Sequence, residues 1–335
     1  MRPLDERLHR AVHGVLGAIL CLTTVSAVRA EAGRWRIEAE PTFVEVAGHD
    51  QHVLTARRPG GTEAAELETD SALGYRAAAF WDRGRWAYGL DFFIHRTDQS
   101  LGPLSEAAAG AGGPVAFELP GRSFVSTGPD ETLFYQTLED TTVELWVADL
   151  YARRGLGAGD GPWTFLLGVR NADFDNDYRA IAGVDAVGGT RVDASSNYSR
   201  MIGPLVGIAA TFERGRHAFE AGLRQAVVFG DIELSRTLLD FQGPAGPFAV
   251  PPEEVPPNLP RELLSTTDSI TVPMTDLTLA WRVRVSEGWT LGARFDAGAW
   301  FDLGVPPGVV PGRPERLEET TLVVYGLGVT AGFAF

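Results

Sequence analysis

The chain contains no lysine, and all 29 of its basic residues are arginine. It has a single cysteine, Cys21, which falls in a segment read below as removable. The mature protein is therefore expected to have no disulfide framework and no thiolate metal site. Nothing beyond residue 30 reaches the run of about 18 apolar residues that a membrane-spanning helix needs, so a helical membrane protein is excluded. The formal net charge is −15, and such a surface repels nucleic acid instead of neutralising its phosphates. What the chain does have is 39 glycines, 44% hydrophobic residues and a mean hydropathy of −0.03. These values fit a β-protein, either soluble or spanning a membrane as a barrel, and periodicity has to decide between them.

The first 30 residues read as an export leader. Arg2, Arg7 and Arg10 make a basic start, and residues 11–25 are apolar apart from His13 and two threonines. Ser26-Ala27-Val28-Arg29-Ala30 then offers a small-residue cleavage site, with cleavage expected after Ala30. Leu20, just before Cys21, is not the small residue that a lipidation signal wants. The expected organisation is a leader over 1–30 and one β-barrel over 31–335.

Alternation carries the barrel reading. In the last segment the odd positions include Thr321, Val323, Tyr325, Leu327, Val329, Ala331, Phe333 and Phe335, while the even positions are mostly small, with glycine at 326, 328 and 332. A period of two puts the rows on opposite faces of a strand. Tyr325 and Phe333 lie eight residues apart, roughly 20 Å of height for a tilted strand, close to the apolar band of a membrane barrel. The row Trp289, Leu291, Ala293, Phe295 opposes Thr290, Gly292, Arg294, Asp296. The row Trp163, Phe165, Leu167, Val169 opposes Thr164, Leu166, Gly168, Arg170. An arginine facing lipid at the bilayer midplane costs about 2–4 kcal/mol, so the charged rows are expected inside.

Ten strands are expected, near 34–45, 69–82, 84–97, 136–152, 162–176, 197–213, 216–233, 270–286, 289–303 and 319–335. Segments near 51–58 and 115–126 are candidates for further hairpins that would raise the count to twelve. Asp82-Arg83-Gly84, Glu213-Arg214-Gly215 and Ser286-Glu287-Gly288 are tight turns, and together with the connection 153–161 they alternate with five long loops. Short periplasmic turns and long extracellular loops are the pattern of a bacterial outer-membrane barrel. The apolar phase flips near Met274, so a bulge is expected beside Pro273.

Residues 198–235 read YSRMIGPLVGIAATFERGRHAFEAGLRQAVVFGDIELS, and the preceding hairpin contains FLLGVRNADFDNDY. A strand with Gly203, Pro204 and Gly207 is followed by a short turn and a glycine-rich strand ending in Phe229, Gly230 and Asp231. This arrangement, with Gly168 and Arg170 before it, resembles the pore-forming major outer-membrane proteins first described from Legionella and related planctomycete barrels. The likeness covers about half of the mature chain. It implies a barrel with porin-like or structural roles and supplies no catalytic residues. The proline-rich segment 242–260 departs from it.

The expected pore-lining set is Arg36, Glu38, Glu40, Arg76, Asp91, Glu144, Arg170, Glu220, Arg224, Arg282, Arg294 and Asp296. Charges of both signs either select polar solutes across an open pore or pair across a narrow barrel and fill it. The expected function is porin-like passage of small polar solutes or ions. The alternative is a closed structural or adhesive barrel whose loops bind at the surface, and the more remote one is a hydrolase at the rim. Of the mature histidines only His95 sits inward near an outer strand end, so no enzyme is expected. Asp173, Asp175 and Asp177 are weak metal candidates, but glycine and glutamate are missing where a calcium loop needs them. No cofactor is expected. The expected partners are outer-membrane lipid, lipopolysaccharide and the barrel-assembly machinery, for which Phe335, Phe333 and Tyr325 form the expected assembly signal.

Overall fold

In the computed structural model the chain is all-β. It describes residues 34–47, 52–58, 61–69, 71–83, 85–101, 115–119, 122–126, 133–137, 142–156, 161–184, 188–242, 261–304 and 319–335. The expected leader over 1–30, the tight-turn residue Gly84 and the proline-rich residues 244–260 lie outside that set.

The strands are β1 (Arg34–Ala47), β2 (His52–Arg58), β3 (Gly61–Thr69), β4 (Ala72–Arg83), β5 (Trp86–Leu101), β6 (Val115–Leu119), β7 (Arg122–Ser126), β8 (Leu133–Thr137), β9 (Thr142–Gly155), β10 (Trp163–Val184), β11 (Gly188–Arg214), β12 (His217–Gln242), β13 (Arg261–Arg284), β14 (Trp289–Gly304) and β15 (Glu319–Ala334). Ten of them form a ring in the order β4-β1-β15-β14-β13-β12-β11-β10-β9-β5, and the β4–β5 pairing closes it. Every pairing in the ring is antiparallel between neighbours along that ring. Closure leaves no exposed sheet edge within the membrane, where unpaired backbone groups would have no water to bond. The expected ten-strand barrel is present. The candidate extra hairpins also form, as β2–β3 and β6–β7, but they pair with each other and with the end of β5 and add no strand to the ring.

The outward face carries the apolar belt. Leu167, Ile202, Leu223, Leu279, Leu291, Leu327 and Val329 all project from the barrel wall, Leu327 being 64% exposed. At the short-turn end aromatic rings line up around the wall: Trp35 against Trp81 at 6.0 Å, Trp81 against Tyr88 at 5.6 Å, Trp289 against Phe333 at 4.9 Å and Phe333 against Phe335 at 5.9 Å. A soluble protein does not leave a continuous belt of large apolar side chains in water, and such a belt with an aromatic girdle is the surface a bilayer covers. On β12 the belt runs from Phe219 to Phe229, roughly 25 Å along a strand tilted at about 40°. Tyr325 and Phe333 stand on the outward row as expected, and Phe335 exchanges two backbone hydrogen bonds with Trp35, at 2.9 and 3.0 Å.

Gly215 and Gly288 take positive φ, 64° and 84°, at two of the expected tight turns, which a side chain rarely tolerates.

The expected bulge at Pro273 is absent. β13 pairs with β12 in unbroken register from Arg261 to Val283, with Pro273 opposite Val227. The strand keeps its phase while its surroundings invert. Below this level the inward residues are Asp276, Thr278 and Arg282, and the outward ones are Leu277, Leu279 and Trp281. Above it the inward residues are Ile270, Val272 and Met274, and the outward ones are Ser269 and Thr271. β12 makes the same exchange, from outward Phe229 to outward Asp231 and Glu233 with Ile232 and Leu234 inside. Sequence alternation therefore stopped short of the true ends of β10 to β13. The expected loop over 177–196 is mostly strand, since β10 ends at Val184 and β11 begins at Gly188.

True register shifts lie elsewhere, between Ala172 and Phe174, between Ser199 and Ile202, and between Trp300 and Leu303. The last two hold Arg200 and Asp302 at φ of 57° and 58°. Asp173 accepts a 2.9 Å hydrogen bond from the Arg200 backbone N–H, which ties the bulge on β11 to β10.

Candidate functional site

Two layers fill the barrel interior. The outer one is apolar. Phe174, Tyr198 and Trp300 cluster with ring centroids 5.6 and 6.3 Å apart, and Met201, Leu145, Val228, Val272, Met274, Leu303 and Leu322 close in around them. Tyr198, Met201, Leu322 and Val272 have no exposure at all. Side chains this fully buried form a hydrophobic core within the barrel.

Beneath it lies a belt of four arginines and four aspartates. Arg170 on β10 holds Asp149 with its Nε at 2.7 Å and an Nη at 2.8 Å, and reaches Asp276 at 2.5 Å. Arg224 on β12 places one Nη 3.2 Å from both Asp91 and Asp149. Arg76 on β4 donates to Asp91 through Nε at 2.7 Å and through a second contact, and meets Asp296 at 3.1 Å. Arg294 on β14 donates to Asp296 at 2.5 and 2.8 Å and to Thr278 at 3.0 Å, while the Thr278 hydroxyl donates to Asp296 at 2.7 Å. The belt is electroneutral and fully cross-connected, the condition under which buried charges are tolerated.

These contacts cross the lumen. Arg224 and Asp91 sit four strands apart around a ten-strand ring, and Arg76–Asp296 and Arg170–Asp276 each span three. A third tier toward the short turns joins Arg282 to Glu220 at 2.7 Å and to Glu38 at 3.4 Å, with Arg36 3.2 Å from Glu38. Glu40 accepts from Thr330 at 2.8 Å and from Thr42 at 3.2 Å.

Among the described residues, three cavities lie along the interior. One of about 100 Å³ sits where the apolar core meets the charged belt, floored by Arg76, Asp91 and Arg170 and walled by Phe93, Leu145 and Trp300. A chamber of about 30 Å³ lies between Tyr151, Arg224 and Arg282. A cup of about 490 Å³ lies among the short turns. Arg224 and Arg294 line both the first and the second, and Arg153, Glu220 and Arg282 line both the second and the third.

Eleven of the twelve expected lining residues face inward. Glu144 does not: it projects from the outer wall opposite Arg96 and Asp175, because its neighbours Val143 and Leu145 hold the inward positions. Asp149 is inward in its place, on the row Val147, Asp149, Tyr151 and Arg153. Asp149, Asp276 and Arg153 are the lining residues that sequence reading missed. On β9 both faces are apolar above Asp149, and the usable signal was the four-residue step from Asp149 to Arg153, which puts both charges on one face. The Tyr151 ring lies over Gly89, where an added Cβ would come within 2.5 Å of it, and at Gly168 an added Cβ would meet the Leu150 carbonyl oxygen at 2.3 Å and the Tyr151 Cβ at 2.6 Å. This is why the glycine of the Gly168–Arg170 strand is needed.

Asp173, Asp175 and Asp177 share the outward face above the apolar belt, and among the described residues no group of three histidine, cysteine or acidic side chains is arranged to hold a metal. His95 is inward and 1% exposed, and neither ring nitrogen has a hydrogen-bond partner.

No family model and no curated protein matches the chain. Among solved structures it is similar to the outer membrane protease OmpT from Escherichia coli, at 9% identity and a TM-score of 0.43 over 92% of this chain and 99% of that one. It is also similar to the toluene transporter TodX of Pseudomonas putida, at 10% identity and a TM-score of 0.33 over 91% and 90%, and to Neisserial surface protein A, at 8% identity and a TM-score of 0.25 over 91% and 100%. The class is defined by the chain's own geometry: a membrane-spanning, up-and-down antiparallel barrel of ten strands, crossed internally by ion pairs.

Proposed function

We propose that the protein is an outer-membrane barrel closed at rest, which holds a rigid platform above the membrane for binding at the cell surface. The observation that carries this reading is the inversion along β10 to β13, which above the lipid belt bury Phe174, Tyr198, Ile232 and Val272 and turn Asp173, Asp231 and Glu233 outward. Strands that continue past the bilayer with their own hydrophobic core form a folded body, and a passage for solutes needs no such core. The short turns then face the periplasm and the long connections the outside. Planar-bilayer recording on the purified, refolded protein tests the reading. Silence across voltages and salts is expected, and steady openings in the unaltered protein would overturn it.

Porin-like passage of small polar solutes or ions is the second reading, and the charged belt favours it. Buried ion pairs add little net stability over well-packed apolar residues, so a barrel that only needed filling had no energetic reason to use eight charges. On this reading the belt parts to conduct. The double variant Asp91→Asn, Arg224→Gln removes the longest crossing contact. Conductance that appears only in the variant would make the belt a gate, and continued silence leaves the closed platform as the function.

A further inference from the structure

The cup at the short-turn end has a chemistry that neither reading uses. Its rim carries Arg34 on β1, Arg85 and Arg216 in turns, and Arg284 on β13, and none of these four forms an ion pair with another described residue. Its ceiling carries Arg36, Arg153 and Arg282, which share the carboxylates of Glu38, Glu220 and Asp82. The buried Nε of Arg282 has no hydrogen-bond acceptor, and that of Arg36 meets Glu38 as an ion pair at 3.2 Å without hydrogen-bond geometry. Counting the Glu38 carboxylate that Arg36 and Arg282 share, seven arginines stand against four acidic residues, Asp82, Glu213, Glu220 and Glu38. The whole chain is acidic, with a net charge of −15, so a surplus of three positive charges around one cavity does not follow from composition.

Physical chemistry narrows the ligand. A concave site with low-dielectric walls concentrates the field of the charges lining it and draws in counter-ions. Guanidinium groups present paired N–H donors that match the oxygens of a phosphate or carboxylate, and several converging arginines favour an anion with more than one charge. A volume of about 490 Å³ is larger than a single inorganic anion needs and suits a small phosphate ester or a lipid headgroup. Arg216 and Arg284 are neighbours, joined by a 2.8 Å backbone hydrogen bond from Arg284 N–H to the Arg216 carbonyl, so two free guanidinium groups hang from one rigid point of the rim.

We infer that this cup binds a multiply charged phosphate-bearing anion. Only its assignment to the periplasmic side rests on the orientation given above, and binding does not depend on whether the lumen opens. The test is calorimetric titration of the refolded barrel, in non-ionic detergent, with inorganic pyrophosphate. Saturable one-to-one binding that weakens as salt is raised is expected. Arg216→Gln with Arg284→Gln should weaken it at least tenfold, and both residues are exposed, so the variant should refold, as circular dichroism will show. Arg83→Gln with Arg154→Gln is the control, because those guanidinium groups lie on the outer wall over Trp81 and Trp86, 5.7 and 5.3 Å from the ring centroids. No saturable binding, or equal weakening in both variants, would overturn the inference. A soluble short-chain phosphatidylglycerol added as competitor then separates the sources: displacement of pyrophosphate assigns the site to a lipid headgroup, and no displacement assigns it to a free phosphate ester.

Discussion

Arg170 and Asp149 meet edge to edge on neighbouring strands, two nitrogens against two oxygens at 2.7 and 2.8 Å, with both side chains at 4% exposure or less. That contact lets the energetic role of the belt be measured. Arg170→Met should cost about 3–5 kcal/mol, because Asp149 and Asp276 lose their common cation. Adding Asp149→Leu should return at least half of that loss. Urea unfolding of the refolded barrel gives both numbers, and a single-variant loss below about 1 kcal/mol would mean that water already supports the aspartates.

The boundary on β13 predicts opposite outcomes for one substitution at two heights of one face. Leu279→Arg faces the lipid belt and should cost about 2–4 kcal/mol. Ser269→Arg, ten residues away on the same face, should cost under about 0.5 kcal/mol, as a surface change does. Comparable losses at both sites would place lipid against Ser269 and refute the assigned height.

The outer core should respond as a protein interior. Phe174→Ala removes the ring between Tyr198 and Trp300 and should cost about 3–5 kcal/mol. The readout is again unfolding in urea, with tryptophan emission reporting the change at Trp300. A near-neutral result would mean that the cluster is loosely held.

The Tyr151 ring and Gly89 should form a suppressible pair. A Cβ at Gly89 would sit 2.5 Å from the ring, and Tyr151 is only 4% exposed, so Gly89→Ala should destabilise by about 1–3 kcal/mol. Tyr151→Ala in that background should recover part of the loss. If the double variant is as unstable as the sum of the two singles, the ring is not what excludes a side chain at Gly89.

The sequence read most clearly where chemistry differs most between the faces. On β14 and β15, glycine, arginine and aspartate oppose leucine, phenylalanine and valine, and both strands were placed within a residue or two of their ends. On β9 alternation failed near Glu144, because Val143 and Leu145 inside are as apolar as Trp146 and Leu150 outside. A period of two says that two faces differ and not which solvent meets each. Near Met274 the solvents themselves change, from lipid outside and charge inside to water outside and core inside, and the strand passes straight through. The charged belt was legible as a list of inward residues. Its pairing was not, since Arg224 finds Asp91 only through the curvature of the closed ring.

The inversion on β12 and β13 also works as a waterline. Sinking the barrel by one pleat would bring Asp231 and Ser269 into hydrocarbon, and lifting it by one would strip lipid from Phe229. In a bilayer thicker or thinner than the belt, the protein has no cheap vertical adjustment, so the lipids around it must stretch or compress. The barrel then acts as a gauge that imposes its own thickness on the surrounding membrane, and should gather with neighbours whose belts are equally tall.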